Sequence, residues 1–206
     1  MYMEKIQYIT IGTDCAPAAA LRTLNLRDFA LPFDWVQIQP EQLCDIIRKN
    51  FHEYHDNLTL CGTRIRNGYG VFFPHDYPTT ECTELKRDEE ADIGGIPERP
   101  ILTGWEKHIP SVREKYVRRI HRFHSILSSK EPVIALYRGS LESVPQLRAA
   151  FAERYMKHNI VFVVATKEQS SDPYVIACDT EANGHWNDSL IWYDAIERAK
   201  EIAVAL

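Results

Sequence analysis

Short runs of β-branched and aromatic residues alternate along the chain with longer runs whose apolar positions recur every three or four residues. The first pattern predicts buried strands and the second predicts helices. Residues 5–11 (KIQYITI) read as a strand that stops at Gly12. Residues 15–25 (CAPAAALRTLN) read as a helix, with Thr13 or Asp14 as its N-cap. Pro17 suits the first turn of that helix, where its missing N–H costs little. A second helix is predicted over 40–54, opened by Pro40 and Glu41, with Leu43, Ile46, Ile47 and Phe51 at helical spacing. Residues 69–73 (YGVFF) read as a short strand ended by Pro74. Residues 78–104 are polar, charged and broken by Gly94, Gly95, Pro97 and Pro100, which predicts a long loop or insertion.

Residues 110–129 predict a strongly basic helix. The runs 132–137 (PVIALY) and 160–165 (IVFVVA) predict buried strands on either side of a helix over about 143–157. Residues 174–178 (YVIAC) predict a further strand, and a last helix covers about 188–204. Continuously apolar strands separated by helices point to strands buried on both faces. The expected fold is therefore α/β, a three-layer sandwich with a mainly parallel central sheet of about five strands and helices on both faces. The 206 residues suit a single α/β domain over 1–206. In such sheets, sites gather at the carboxyl ends of the strands. That rule selects the segments just after residues 11, 73, 137, 165 and 178.

Composition adds limits. The apolar and charged fractions are those of an ordinary globular chain, and the net charge of -5 argues against a general nucleic-acid binder. No apolar run approaches the roughly 20 residues of a membrane-spanning helix, so no membrane partner is expected. The segment MYMEKIQYITIG reads as a strand rather than a signal peptide, which predicts a cytoplasmic protein. The five cysteines, Cys15, Cys44, Cys61, Cys82 and Cys178, are widely spaced with no C-x-x-C pair. Neither a disulfide framework nor a zinc site is expected. His52 with His55, and His121 with His124, have the spacing of metal-binding pairs, but a solvated helix face is the simpler reading. No cofactor and no metal are expected. The arginines of 110–129 are expected to pair with acidic loops.

Candidate chemistry starts at Gly12-Thr13-Asp14-Cys15. Gly12 permits a tight strand-to-helix turn and puts Cys15 at the first turn of a helix. Unpaired N–H groups there favour a thiolate and would hold an oxyanion. The plain alternative is a small buried residue at a helix–sheet contact. His75 comes after the 69–73 strand and is a candidate general base. Asp76 beside it would point away from His75 along an extended backbone, and would orient it only if Pro74 begins a turn. Asp34, between Phe33 and Trp35, is a second candidate orienting carboxylate, or else a turn anchor with both aromatics in the core. Arg138 comes after the third strand and suits an anionic group. Asn187 or Asp188 suits the cap of the last helix, and His185 is a rival base.

The stretch ITIGTDCAPAAALRTLNLRDFALPFDWV, with FFPHDY after it, resembles a family of bacterial and viral proteins described as papain-like cysteine peptidases, a domain of unknown function. The matching positions are Gly12 and Cys15, Leu21 and Arg22, Pro32 to Trp35, His75 to Tyr77, then Tyr116, Arg119, Arg122 and Arg138. The resemblance implies Cys15 as nucleophile and His75 as base. A cysteine-dependent hydrolase or acyltransferase is therefore expected, with Asp34 or Asp76 orienting His75. Gly12, Asp14, Arg22, Trp35, Arg138 and His185 are then expected to face a peptide or small-molecule substrate. Two other readings stay open. An SGNH-type hydrolase would use Cys15 in place of serine and His185 as base, although Ala182 stands where that pattern has its aspartate. A non-catalytic module would grip an anionic or sugar-like ligand with Arg138, Arg22 and Asp34.

Overall fold

The computed structural model of the chain describes residues 5–80 and 99–206. Four of the predicted strands pair in parallel: β1 (Gln7–Ile11), β5 (Val133–Arg138), β6 (Ile160–Ala165) and β7 (Val175–Cys178), in spatial order β1-β5-β6-β7. Between β1 and β5 in sequence lie α1 (Ala16–Thr23), α2 (Pro40–Arg48) and three short strands, β2 (Thr59–Cys61), β3 (Arg64–Arg66) and β4 (Phe72–Phe73). The helix α3 (Ile109–Ser128) precedes β5, α4 (Val144–Tyr155) joins β5 to β6, and α5 (Ser189–Ala203) comes after β7.

Side chains alternate across the sheet, and each set has its own helices. Ile9, Val133, Ala135, Phe162 and Val164 face one way and pack with Leu43 and Ile47 of α2, Tyr116 and Phe123 of α3, and Phe151 of α4. Tyr8, Ile134, Leu136, Val161 and Val163 face the other way and meet Leu21 of α1 and Trp192 and Ile196 of α5. The expected three layers are present, and both faces of the sheet are buried. That explains why its strands carry no polar alternation.

The fifth expected strand belongs elsewhere. Of residues 69–73 only Phe72–Phe73 are extended, and they pair antiparallel with β3, which in turn pairs with β2. The hairpin turns at Gly62, where φ is +62°. No strand is predicted over 59–66, because Thr59, Leu60 and Cys61 are all exposed and lack an apolar alternation. The expected helix over 40–54 ends at Arg48. Asn50, Phe51, Glu53 and Asn57 all have φ above +50°. This tight winding puts Phe51, Tyr54 and His55 into the core, which a continued helix would not do for all three. His52 and His55 therefore share no helix face. The predicted loop over 78–104 is zipped at its ends, where Thr79 and Ile101 form an antiparallel bridge. Most of that loop lies outside the described residues.

The basic helix α3 also differs from expectation. Lys115 and Arg119 fall within its apolar stripe and are buried with Tyr116 and Phe123. Both reach Asp76, with Lys115 Nζ at 2.6 Å and Arg119 Nη1 at 3.8 Å from Oδ1. The Tyr116 hydroxyl donates to the other carboxylate oxygen at 2.8 Å. His55 stacks on Tyr116 with centroids 5.0 Å apart and shares a 2.8 Å hydrogen bond with Tyr77.

Burial holds His55 neutral, with its pKa pulled down to about 4 against the pull of Asp76. The unfolded chain takes up a proton near pH 6.5 that folded His55 refuses until about pH 4. Its contribution is fully present above about pH 6.5 and falls away as the pH drops towards 4, by about 3 kcal/mol in all. Urea unfolding across that range is expected to show this loss in the native protein and a flatter profile in His55→Gln.

Candidate functional site

The turn after β1 is built around a close approach. A Cβ on Gly12 would lie 2.1 Å from the Phe33 carbonyl oxygen, so any larger residue would push the 31–38 segment off the strand. The Ile38 N–H donates to the Gly12 carbonyl at 2.9 Å and keeps that segment seated. Asp34 supplies the second anchor. Its carboxylate accepts from the Thr10 hydroxyl at 2.5 Å and the Leu31 N–H at 2.6 Å, and pairs with Arg27 Nη2 at 2.6 Å. It is 1% exposed, and Phe33 and Trp35 on either side are in the core. Asp34 is thus the anchor of the Pro32–Trp35 turn, and its carboxylate does not hold His75.

Cys15 is the N-cap of α1, one residue later than expected. The capping is done by Asp14, whose Oδ1 accepts the Ala16 N–H at 2.8 Å. Cys15 packs in one buried cluster with Ala18, Ala19, Ala30 and Trp35. The His75 ring meets the Trp35 indole edge-on, with centroids 6.0 Å apart. Trp35 thus shares a buried cluster with Cys15 and touches His75, and no hydrogen bond joins the thiol to an imidazole among the described residues. Pro74 does begin a turn, since 74–75 are turn residues and not strand, but Asp76 spends its carboxylate on Lys115, Tyr116 and Arg119 of α3 rather than on His75. Lys115 and Arg119 hold its carboxyl well below the usual range against the opposing effect of its own burial.

The carboxyl ends of β1, β5 and β7 carry a charge cluster. Arg138 lies 3.4 Å from Asp14 Oδ2 and pairs with Glu181. Its guanidinium also lies 5.8 Å from the centroid of the exposed Trp186 ring. The Thr13 hydroxyl donates to the Arg138 carbonyl at 2.5 Å, which ties the Cys15 turn to β5. Asp188 caps α5 by accepting the Leu190 N–H. Asn187 does something the chain order does not reveal: its Nδ2 donates to the Ala16 carbonyl at 3.2 Å, and its Oδ1 accepts from Trp192 Nε1 at 2.6 Å. This docks the 183–188 turn, with the exposed His185, against the start of α1. Glu181 and Asn187 are the site neighbours that sequence reasoning misses. Arg22 lies apart from this cluster, on a cavity beyond Ala18 and Trp35.

The electrostatics of the thiol run against expectation. Burial pushes the Cys15 thiol up and the Asp14 carboxylate adds to this, while its own N–H and the Arg138 guanidinium pull it down. Desolvation and a like charge thus outweigh the helix terminus. The other cysteines stand in different settings. Cys44 donates to the Gln146 carbonyl with its thiol pushed up to about 11, Cys178 is pushed up to about 12, and Cys61 is exposed on the hairpin. Among the described residues, no three His, Cys, Asp or Glu side chains gather as a metal site. His124 is bonded to Tyr155.

A sequence model for the family described as "Putative papain-like cysteine peptidase" matches residues 6–170. The chain belongs to that family. The match includes Cys15, Asp34, Trp35, His75, Asp76 and Arg138 and ends before Glu181 and His185. The uncharacterised protein R408 of Acanthamoeba polyphaga mimivirus is 22% identical over 215 residues, covering 92% of this chain and 96% of that one. No solved structure matches the chain.

This geometry predicts two outcomes. Asp34→Ala removes the acceptor of a buried arginine and is expected to cost about 3–5 kcal/mol in urea unfolding. Asp14→Asn keeps an acceptor for the Ala16 N–H but removes the charge that raises the thiol. It is expected to shift the alkylation profile of Cys15 to lower pH, and Arg138→Gln to shift it higher, as mass-spectrometric rate measurements would show.

Proposed function

We propose that the protein is a cysteine-dependent hydrolase of the peptidase or amidase type, with Cys15 as nucleophile and His75 as general base. The observation that carries this reading is Trp35, which shares a buried cluster with Cys15 and is met edge-on by His75. Substrate binding brings the His75 imidazole to the Cys15 thiol. His75 takes the thiol proton and Sγ bonds to the substrate carbonyl carbon, while the Cys15 N–H donates to the developing oxyanion. The amine leaves with the proton held by His75. Water then cleaves the thioester, releasing the acid and restoring the thiol. Arg138, held between Asp14 and Glu181, offsets the carboxylate that opposes thiolate formation. Peptides and small amides are the substrates that fit this chemistry. The four described cysteines are free thiols, which supports a reducing compartment, and we place the protein in the cytoplasm. No described helix is long and apolar enough to cross a membrane.

A second reading keeps Cys15 and uses His185 as base. It is favoured by the Asn187 hydrogen bond that docks the 183–188 turn on α1. The family match ends before this turn, which favours His75. The two readings separate by the rate at which iodoacetamide alkylates Cys15 near neutral pH. His75→Ala is expected to slow it at least tenfold and His185→Ala to leave it unchanged. The reverse result assigns His185, and no effect of either variant overturns the proposed thiol–imidazole pair.

A further inference from the structure

A cavity of about 220 Å³ opens between the second half of α1 and the 25–35 segment. It is smaller than the roughly 300 Å³ at which pockets for drug-sized ligands begin, so it suits a small group. Its apolar lining is Ala18, Leu21, Phe29, Ala30 and Trp35. Its polar lining is Arg22, Asn25, Arg27, Asp28 and Asp34. Ala18, Ala30 and Trp35 also belong to the buried cluster that contains Cys15.

Arg27 is the informative residue. Its side chain is only 6% exposed, with Nη2 on Asp34 and Nη1 donating to the Tyr8 carbonyl at 3.2 Å. Its Nε is buried and has no hydrogen-bond partner among the described residues. A buried guanidinium N–H without an acceptor is costly, and a carboxylate is the acceptor that best matches it. Asp34 adds little free negative charge to the cavity, because Thr10, Leu31 and Arg27 occupy both of its oxygens. Arg122 brings a second guanidinium to the rim, donating to the Ala30 carbonyl at 3.3 Å and lying 5.7 Å from the Phe29 centroid. Asp28, exposed at the mouth, is the opposing charge.

We propose that this cavity binds a small carboxylate carried on a flat apolar body, with the carboxylate on Arg27 and the body against Phe29 and Trp35. The site stands whether or not Cys15 is a nucleophile. Should Cys15 act as the nucleophile of a hydrolase, the cavity selects substrates bearing such a group beside the scissile bond.

Binding is therefore read in the Cys15→Ala protein, which separates this proposal from the catalytic one. Benzoate titrated against the labelled protein is expected to shift the amide signals of 25–35 and the Trp35 indole N–H saturably. Benzamide, of the same shape without the charge, is expected to bind at least tenfold more weakly. Arg27→Lys keeps a cation for Asp34 but loses the Nε donor, and is expected to weaken benzoate at least tenfold. Asp28→Asn, a surface change with no folding risk, is expected to tighten it severalfold. N-acetylphenylalanine distinguishes the sources: binding tighter than benzoate assigns the carboxyl end of a peptide, and weaker binding assigns a free acid. Equal binding of benzamide and benzoate, no tightening in Asp28→Asn, or no saturable shift in this region up to the solubility limit would each overturn the proposal.

Discussion

The buried carboxylate of Asp34 is the contact on which the arrangement of the site depends. It joins three pieces of chain: Thr10 on β1, Leu31 in the turn, and Arg27 in the loop after α1. A charge in so dry a place is tolerated because it is paired and its oxygens are hydrogen-bonded. Gly12 completes the clamp from the other side, since only a residue without a Cβ can lie under the Phe33 carbonyl. Together they seat the segment that carries Trp35, which shares a buried cluster with Cys15 and meets the His75 ring edge-on. The Asp34 carboxylate thus fixes the turn that carries Trp35.

Asp76 plays the matching part on the opposite side of the core. Lys115, Tyr116 and Arg119 bring a helix onto it, and His55, Tyr77 and Phe73 close over the assembly with stacked and edge-on rings. His75 is adjacent in sequence to this buried charge and yet faces Trp35. The polar network therefore fixes the strand end that carries His75 without supplying its orienting partner. The turn that Pro74 begins sends these two neighbouring side chains to different partners.

The thiol is held in a resting condition. Burial and Asp14 keep the proton on sulfur, and Arg138 and the Cys15 N–H only partly offset them. The ion-paired cluster at the carboxyl ends of the sheet, Asp14 with Arg138 and Glu181, sets this balance and faces solvent beside the exposed Trp186. Trp35, which belongs to the buried cluster of Cys15, also lines the Arg27 cavity.

Much of this was legible in the residues themselves. The apolar runs of β1, β5, β6 and β7 marked a parallel sheet, because strands buried on both faces need no polar alternation. Gly12, Pro17 and Cys15 marked the strand-to-helix turn, because backbone demands there are local. Local signals failed where burial was decided by distant partners. The winding of 49–57 exists to bury Phe51, Tyr54 and His55, and Lys115 and Arg119 enter the core only because Asp76 waits there. The exposed hairpin of β2 and β3 had no pattern to betray it. Asp34 and Asp76 were recognisable as unusual carboxylates, but their partners come from 24 and about 40 residues away. The sequence determined the layers and the candidate nucleophile, since periodicity and turn chemistry are properties of neighbouring residues. Only the tertiary structure decided which charges are neutralised, which thiols are covered, and that Trp35 clusters with Cys15 and meets His75, since those depend on contacts between segments far apart in the chain.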